Sequence, residues 1–173
     1  MNIRQYFMGL LLMGGMLGLG SCMSKPGILV PTNPIQANQL PKIYPDYIGV
    51  TVPATIAPLN FNVEDIDAES VNVVVEGSKI GELQSEGDYA NFDIDEWRHL
   101  LAQNRGGDLK VTVYVEKKGN WTQYKDFDIH VSPYALDDWG LTYRRIAPGY
   151  EVYGKLGIYQ RNLSNFEETA ILE

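Results

Sequence analysis

Residues Leu109, Val111, Val113 and Val115 alternate with Lys110, Thr112, Tyr114 and Glu116. Apolar side chains at every second position predict a strand with one buried and one polar face. Lys117-Lys118-Gly119-Asn120 supplies a turn, and Trp121 to Val131 returns with Phe127, Ile129 and Val131 inward and Asp126, Asp128 and His130 outward. Val71, Val73 and Val75 mark an earlier strand closed by Gly77-Ser78. Ile80 to Leu83 is a weaker strand candidate, followed by a turn at Glu86-Gly87-Asp88. Two extended pieces precede these: Ile48, Val50 and Val52, then Leu59, Phe61 and Val63, with Pro53 and Pro58 as edge-strand breaks. One helix interrupts the strands. Asp93 caps it, Glu96 stands at the capping-box position, and Ile94, Trp97, Leu100 and Leu101 share a face. Asn104 to Gly107 stops it. The pattern predicts an all-β, disulfide-free β-sandwich of immunoglobulin or fibronectin-III type over residues 46–133, with a small barrel as the alternative.

The flanks have a different character. Tyr134 to Glu173 is rich in Tyr, Arg and Gly, with little alternation beyond a strand candidate at Ile158 to Leu163. We read 134–173 as a C-terminal extension that does not complete the sandwich, and the stop after Glu173 as a sign of a larger element cut off. Residues 22–45 carry Pro26, Pro31, Pro34, Pro41 and Pro45, which predicts an extended spacer between membrane and body. Met1 to Ser21 has a short start bearing Arg4, an apolar run from Phe7 to Leu19, and small residues Gly20 and Ser21. That is signal-peptide anatomy, and the run is short for a membrane span. Leu19, Gly20 and Ser21 before Cys22 resemble a bacterial lipobox, in which the chain is cut before the cysteine and the new N-terminus is lipidated.

Composition narrows the reading. Of 173 residues, 45% are hydrophobic and 21% charged, the balance of a folded chain rather than a disordered one. The net charge of −8, without a basic block, argues against nucleic acid as a partner. Cys22 is the one cysteine, so it cannot form an internal disulfide, and acylation accounts for its thiol. Anchoring then rests on the lipid. The absence of Asp after the cysteine points to the outer membrane of a cell envelope, with the leaflet open.

Several stretches carry a family resemblance. Ile43-Tyr44-Pro45-Asp46-Tyr47-Ile48-Gly49-Val50-Thr51-Val52-Pro53, then Ile56-Ala57-Pro58-Leu59-Asn60-Phe61, resemble the start of a family of Bacteroidetes lipoproteins. So do Tyr143-Arg144-Arg145-Ile146-Ala147-Pro148-Gly149-Tyr150-Glu151 and Ile158-Tyr159-Gln160-Arg161-Asn162-Leu163. In that family these motifs lead into a TolB-like six-bladed β-propeller, and some members carry Cys-x-x-Cys-His. The resemblance implies a membrane-anchored front end and the start of a propeller in 134–173. This chain has neither Cys-x-x-Cys-His nor propeller repeats, so haem attachment does not carry over.

No catalytic constellation stands out, and we expect a non-enzyme without cofactor or metal. His99 and His130 read as surface residues, and no nucleophile-elbow pattern accompanies them. Glu64-Asp65-Ile66-Asp67-Ala68-Glu69 lacks the glycine and distal glutamate of an EF-hand loop and reads as a solvated acidic turn. Tyr114, Trp121, Tyr124 and Trp139 are the candidate ligand-binding aromatics, forming a stacking platform of the kind sugar-binding sandwiches use. The competing reading places Trp97 and Trp121 in the core and the tyrosines at an interface. The ranked functional expectations are an accessory or docking module whose protein partner is a propeller, a glycan-binding surface lipoprotein, and a fragment of a haem- or redox-related protein whose active part lies beyond Glu173.

Overall fold

The computed structural model describes residues 30–65, 67–136, 140–146 and 157–172. Among the described residues the fold is all-β with one short helix and a sandwich-like layering. In chain order the elements are β1 (Ile35–Gln36), β2 (Ile43–Tyr44), β3 (Thr51–Val52), β4 (Asn62–Val63), β5 (Ser70–Gly77), β6 (Glu82–Gly87), α1 (Ile94–Gln103), β7 (Asp108–Lys117), β8 (Asn120–Gln123), β9 (Phe127–Val131), β10 (Gly140–Arg145), β11 (Gly157–Asn162) and β12 (Glu168–Leu172).

The seven-stranded sheet is built on the two long strands. β5 lies antiparallel between β6 and β7, with Val71, Val73 and Val75 opposite Val115, Val113 and Val111. Valine suits this place because its branched side chain packs against cross-strand neighbours on a pleated surface. The other half of the pairing of β7 is divided. Its first residues take β9, with Leu109 opposite Ile129, and its last take β8, with Glu116 opposite Trp121. The expected single return from Trp121 to Val131 is thus two strands, separated at 124–126. Two pairings are parallel rather than antiparallel: β1 on β8 and β3 on β9.

Helix α1 and the two-stranded sheet β2–β4 cover one face. Trp97, Leu100 and Leu101 of the helix join Phe92, Phe61, Leu59 and Ile43 over the valines of β5 and β7 in one core. Trp97 is fully buried, stacks on Phe92 at 5.5 Å, and donates its indole N–H to the Ile56 carbonyl at 3.1 Å. That bond satisfies the polar end of a side chain otherwise chosen for its apolar area. The helix begins as its sequence predicts. Asp93 accepts from the backbone N–H of Asp95 and of Glu96, each at 3.0 Å, and meets two of the donors a helix start leaves open.

Four expectations need correction. The weak strand does not start at Ile80; β6 starts at Glu82, and Ile80 is exposed. The Lys79 N–H and the Ile80 carbonyl are bonded to the side chain of buried Asn104 instead of to a neighbouring strand. The turn placed at 86–88 starts later, because Glu86 and Gly87 are still paired with Asn72 and Val71. The described part of the proline-rich segment, from residue 30, does not stand clear of the body. From Ile35 onward it laces the sheet edge: Ala37 donates to Gln123, Gln39 accepts from Lys125, Lys42 accepts from Glu64, and Pro41 and Ile43 are buried. Two-residue edge strands tolerate the missing proline donors that a central strand could not. Finally, the acidic turn at 64–69 is not simply solvated, since Asp65 is drawn into a side-chain network described below.

After Pro133 the chain forms a separate three-stranded antiparallel meander, β10-β11-β12. Its β11–β12 turn is fixed to the body. Ala57 donates to the Leu163 carbonyl and the Arg98 guanidinium donates to the Ser164 carbonyl, both at 2.8 Å. Leu136 N–H to Thr55 Oγ1 at 2.9 Å fastens the chain on its way in.

Candidate functional site

The meander carries the most exposed apolar surface among the described residues. Leu141, Ile146, Ile158, Phe166, Ile171 and Leu172 are all exposed, Ile146 and Leu172 by more than 60% (63% and 62%). Every residue of β12 is exposed. The register sorts the side chains into two faces. On one, Tyr143 lies opposite Tyr159, their rings stacked at 6.2 Å and 26°. Arg145 sits 4.7 Å over the Tyr159 ring and forks onto the Glu168 carboxylate at 3.0 and 3.2 Å. Tyr143 donates its hydroxyl to the same carboxylate. Arg161 lies 5.7 Å from the Phe166 ring. On the other face Arg144, Ile158 and Leu172 form one row across the three strands. A register shift between Ile158 and Tyr159 sets Ile171 outside the pairing as a bulge, which adds local twist.

A three-stranded sheet needs an apolar face covered to be stable by itself. Here the inter-strand pairs are well made but the apolar row of Ile158 and Leu172 remains open. Contiguous exposed apolar positions rimmed by charge mark an interaction surface. The arginines and tyrosines are the residue types enriched in such surfaces.

The expected aromatic platform is divided. Tyr114 and Trp121 lie on the outer face of the large sheet, diagonal to each other through the pairs Tyr114–Gln123 and Glu116–Trp121. Tyr114 is buried at 7% exposure, and Trp121 is half-buried. Burial pushes the Tyr114 hydroxyl pKa up, and the carboxylates of Asp126 and Glu76 add to the effect. Tyr124 faces the other way: its ring packs on the core, while its N–H bonds to the Val113 carbonyl. Its hydroxyl donates to Asp65 Oδ2 at 2.9 Å, and Lys117 pairs with Asp65 Oδ1. Burial opposes the charge on Asp65, but the hydrogen bonds from Lys117 and Tyr124 together outweigh it and hold the carboxyl below the usual range. Lys117 moves up from its ordinary value through the hydrogen bond to Asp65. This trio joins the 64–69 turn to β7 and the β8–β9 connection, which is a structural role. Trp139 and the lipobox Leu19, Gly20, Ser21 and Cys22 lie outside the described residues.

Both histidines are exposed. His130 Nδ1 is 2.7 Å from Asp108 Oδ1, a carboxylate–imidazole pair. No hydroxyl or thiol is bonded to that ring among the described residues, so the pair lacks the nucleophile a hydrolytic triad requires. The nearby Ser78 hydroxyl instead accepts from the Asp108 N–H at 2.9 Å. Among the described residues no group of three His, Cys, Asp or Glu is placed to hold a metal ion, and no helix is long and apolar enough to cross a membrane. Sequence reasoning missed the meander surface because neither of its faces is uniformly apolar. Compared with the models of known protein families and with curated proteins, the chain matches none.

Proposed function

We propose that this protein is a lipid-anchored envelope lipoprotein acting as a non-catalytic docking module, with Cys22 as its anchor and the β10–β12 meander as its docking surface. The observation that carries the docking reading is the open row of Ile158 and Leu172 on one face of the meander, with the charged aromatic cluster on the opposite face and, among the described residues, bonds to the body from its turn and its entry segment. The partner class is a β-propeller, because the meander has the antiparallel up-and-down order of a propeller blade and the family resemblance leads to a TolB-like propeller. Within the all-β class, the alternating disulfide-free core supports the immunoglobulin or fibronectin-III type. The apolar run ahead of Leu19-Gly20-Ser21-Cys22 supports export and anchoring at the outer membrane.

Two measurements on the full chain test this. The wild type should sediment with membranes and take up a clickable palmitate label, and Cys22→Ser should do neither; a labelled or membrane-bound Cys22→Ser protein refutes the anchor. Ile158→Asp with Leu172→Asp should release a co-purifying propeller protein while leaving the unfolding transition of the body unchanged. Persistence of the complex in that double variant refutes the docking surface.

A further inference from the structure

A concave site lies at the two-stranded β2–β4 sheet. Tyr44, Pro45, Asn60, Phe61, Asn62 and Tyr89 line a cleft of roughly 340 Å³. It is a shallow, open depression rather than an enclosed cavity, so a ligand would lie against its rings with one side in water. Its frame is made of backbone bonds. Tyr44 is paired with Asn62 across β2–β4, and Ile43 and Val63 on the alternate positions turn toward the core. Phe61 and Ala90 exchange two backbone hydrogen bonds, at 3.2 and 2.9 Å, which sets Tyr89 beside the β2–β4 pair. The two tyrosines are nevertheless exposed, at 66% and 46%, over a Phe61 that is 2% exposed.

The chemistry of the lining selects a ligand class. None of the six residues is charged, in a chain whose charged fraction is 21%. An ionic ligand would find no counter-charge there. A wholly apolar ligand would leave the amides of Asn60 and Asn62 without water. Asn60 is held by two bonds: its Oδ1 accepts from the Phe92 N–H at 3.0 Å, and its Nδ2 donates to Asn91 Oδ1 at 3.1 Å. An amide has two donors and two acceptor sites, so one of each is left over at a fixed orientation. A hydroxyl both donates and accepts, and pairs with such a group on both counts. The tyrosine rings beside the held Asn60 amide and the exposed Asn62 amide therefore match a neutral ring that is apolar on its flat faces and hydroxylated at its edge.

We infer that the Tyr44–Tyr89 cleft binds a neutral saccharide. This is independent of the docking surface, which lies on the meander. The test is saturation-transfer NMR and calorimetry on the full chain in detergent, with maltohexaose, cellohexaose, xylohexaose, mannohexaose and chitohexaose as probes and a proline-rich decapeptide as control. At least one hexasaccharide should bind, with affinity falling tenfold or more in Tyr44→Ala and in Tyr89→Ala and staying within twofold in Trp121→Ala. Both tyrosines are exposed, and unchanged thermal melts will show that the variants are folded. No binding by any of the five, or binding unaffected by both tyrosine substitutions, overturns the inference. So does saturation of the cleft by the peptide alone. Binding retained in Cys22→Ser separates this result from the fate of the anchor.

Discussion

Replacing Asn104 by alanine should cost this protein a large part of its stability. Asn104 ends α1 and is fully buried. Its Nδ2 donates to the carbonyls of Ile80 and Leu100, both at 2.8 Å, and its Oδ1 accepts from the Lys79 N–H at 2.9 Å. One amide thus closes the helix and fixes the 77–81 loop that precedes β6. The fit is close: a Cβ on Gly77 would stand 2.3 Å from Nδ2. Three hydrogen bonds at about 1 kcal/mol each give roughly 3 kcal/mol. Leu100 O keeps its bond from the Asn104 backbone, whereas Lys79 and Ile80 are exposed and regain water, which limits any further penalty. Against a total stability of about 5–15 kcal/mol, that loss is readily measured. It corresponds to a fall in Tm on the order of 10 °C for a domain of this size. Urea unfolding followed by tryptophan fluorescence is the assay, since Trp97 is buried on the same helix. Asn104→Asp is the sharper control. It keeps the volume and the acceptor for Lys79 but turns lone pairs on two carbonyls, so it should be no better than alanine. An alanine variant within about 1 kcal/mol of wild type, or an aspartate variant that matches wild type, would refute the reasoning.

Two further outcomes follow from other parts of the sheet. Asp65 has a lowered folded pKa, so its contribution is present above the unfolded value of about 3.9 and is lost as pH falls through the folded value. Thermal melts from pH 7 to pH 2 should show a decline below about pH 4 that is shallower in Asp65→Asn, and identical slopes would count against the Lys117–Tyr124 network. In the β7–β8 turn, Lys118 and Gly119 both have positive φ, 50° and 74°, the pattern of a type I′ hairpin. Open space surrounds Gly119, so Gly119→Val should cost only the backbone term of about 1–2 kcal/mol, while Lys118→Asn should stabilise by some tenths of a kcal/mol; denaturant midpoints check both.

Where the chain buries one side of a strand, its sequence spelled out the structure. The valines of β5 and β7 and the alternation of β9 are visible as period two because one face joins the core, while the other carries polar residues, buried at Asn72, Thr112 and Tyr114 and exposed at Asp128 and His130, with Val74 the apolar exception. The helix was legible from Asp93 to Asn104 because capping and the Trp97-Leu100-Leu101 stripe agree. Ile80 misled because its apolar side chain suggested a strand, while its backbone is bonded to a side chain 24 positions away. No local pattern carries that information. The spacer misled for a related reason. Proline density predicts extended chain, and extended chain is also what a two-residue edge strand requires, so Ile35 and Ile43 could be placed on the sheet only by their partners in β8 and β4.

The candidate sites are harder to read because alternation records burial, and a binding surface is defined by burial that has not yet happened. In β10 and β11 both faces reach solvent, so Tyr143, Arg145 and Tyr159 on one side and Arg144 and Ile158 on the other give a sequence without period. The register brings the tyrosines, Arg145 and Glu168 together across three strands separated by up to 25 residues. The same holds for Tyr44 and Tyr89, which the β2–β4 pair and the Phe61–Ala90 bridge bring to the lining of one depression. Of the aromatics that stand out in sequence, the three that are described were sorted by strand alternation instead: Tyr124 went to the core side and Tyr114 and Trp121 to the outer face. Aromatic content alone therefore names too many positions, and the discriminating variable is which of them a rigid frame holds exposed. On that criterion Tyr44 and Tyr89, with a buried phenylalanine beneath and paired backbone on both sides, are placed to bind a ligand. Tyr114, closed in by its own sheet, is not.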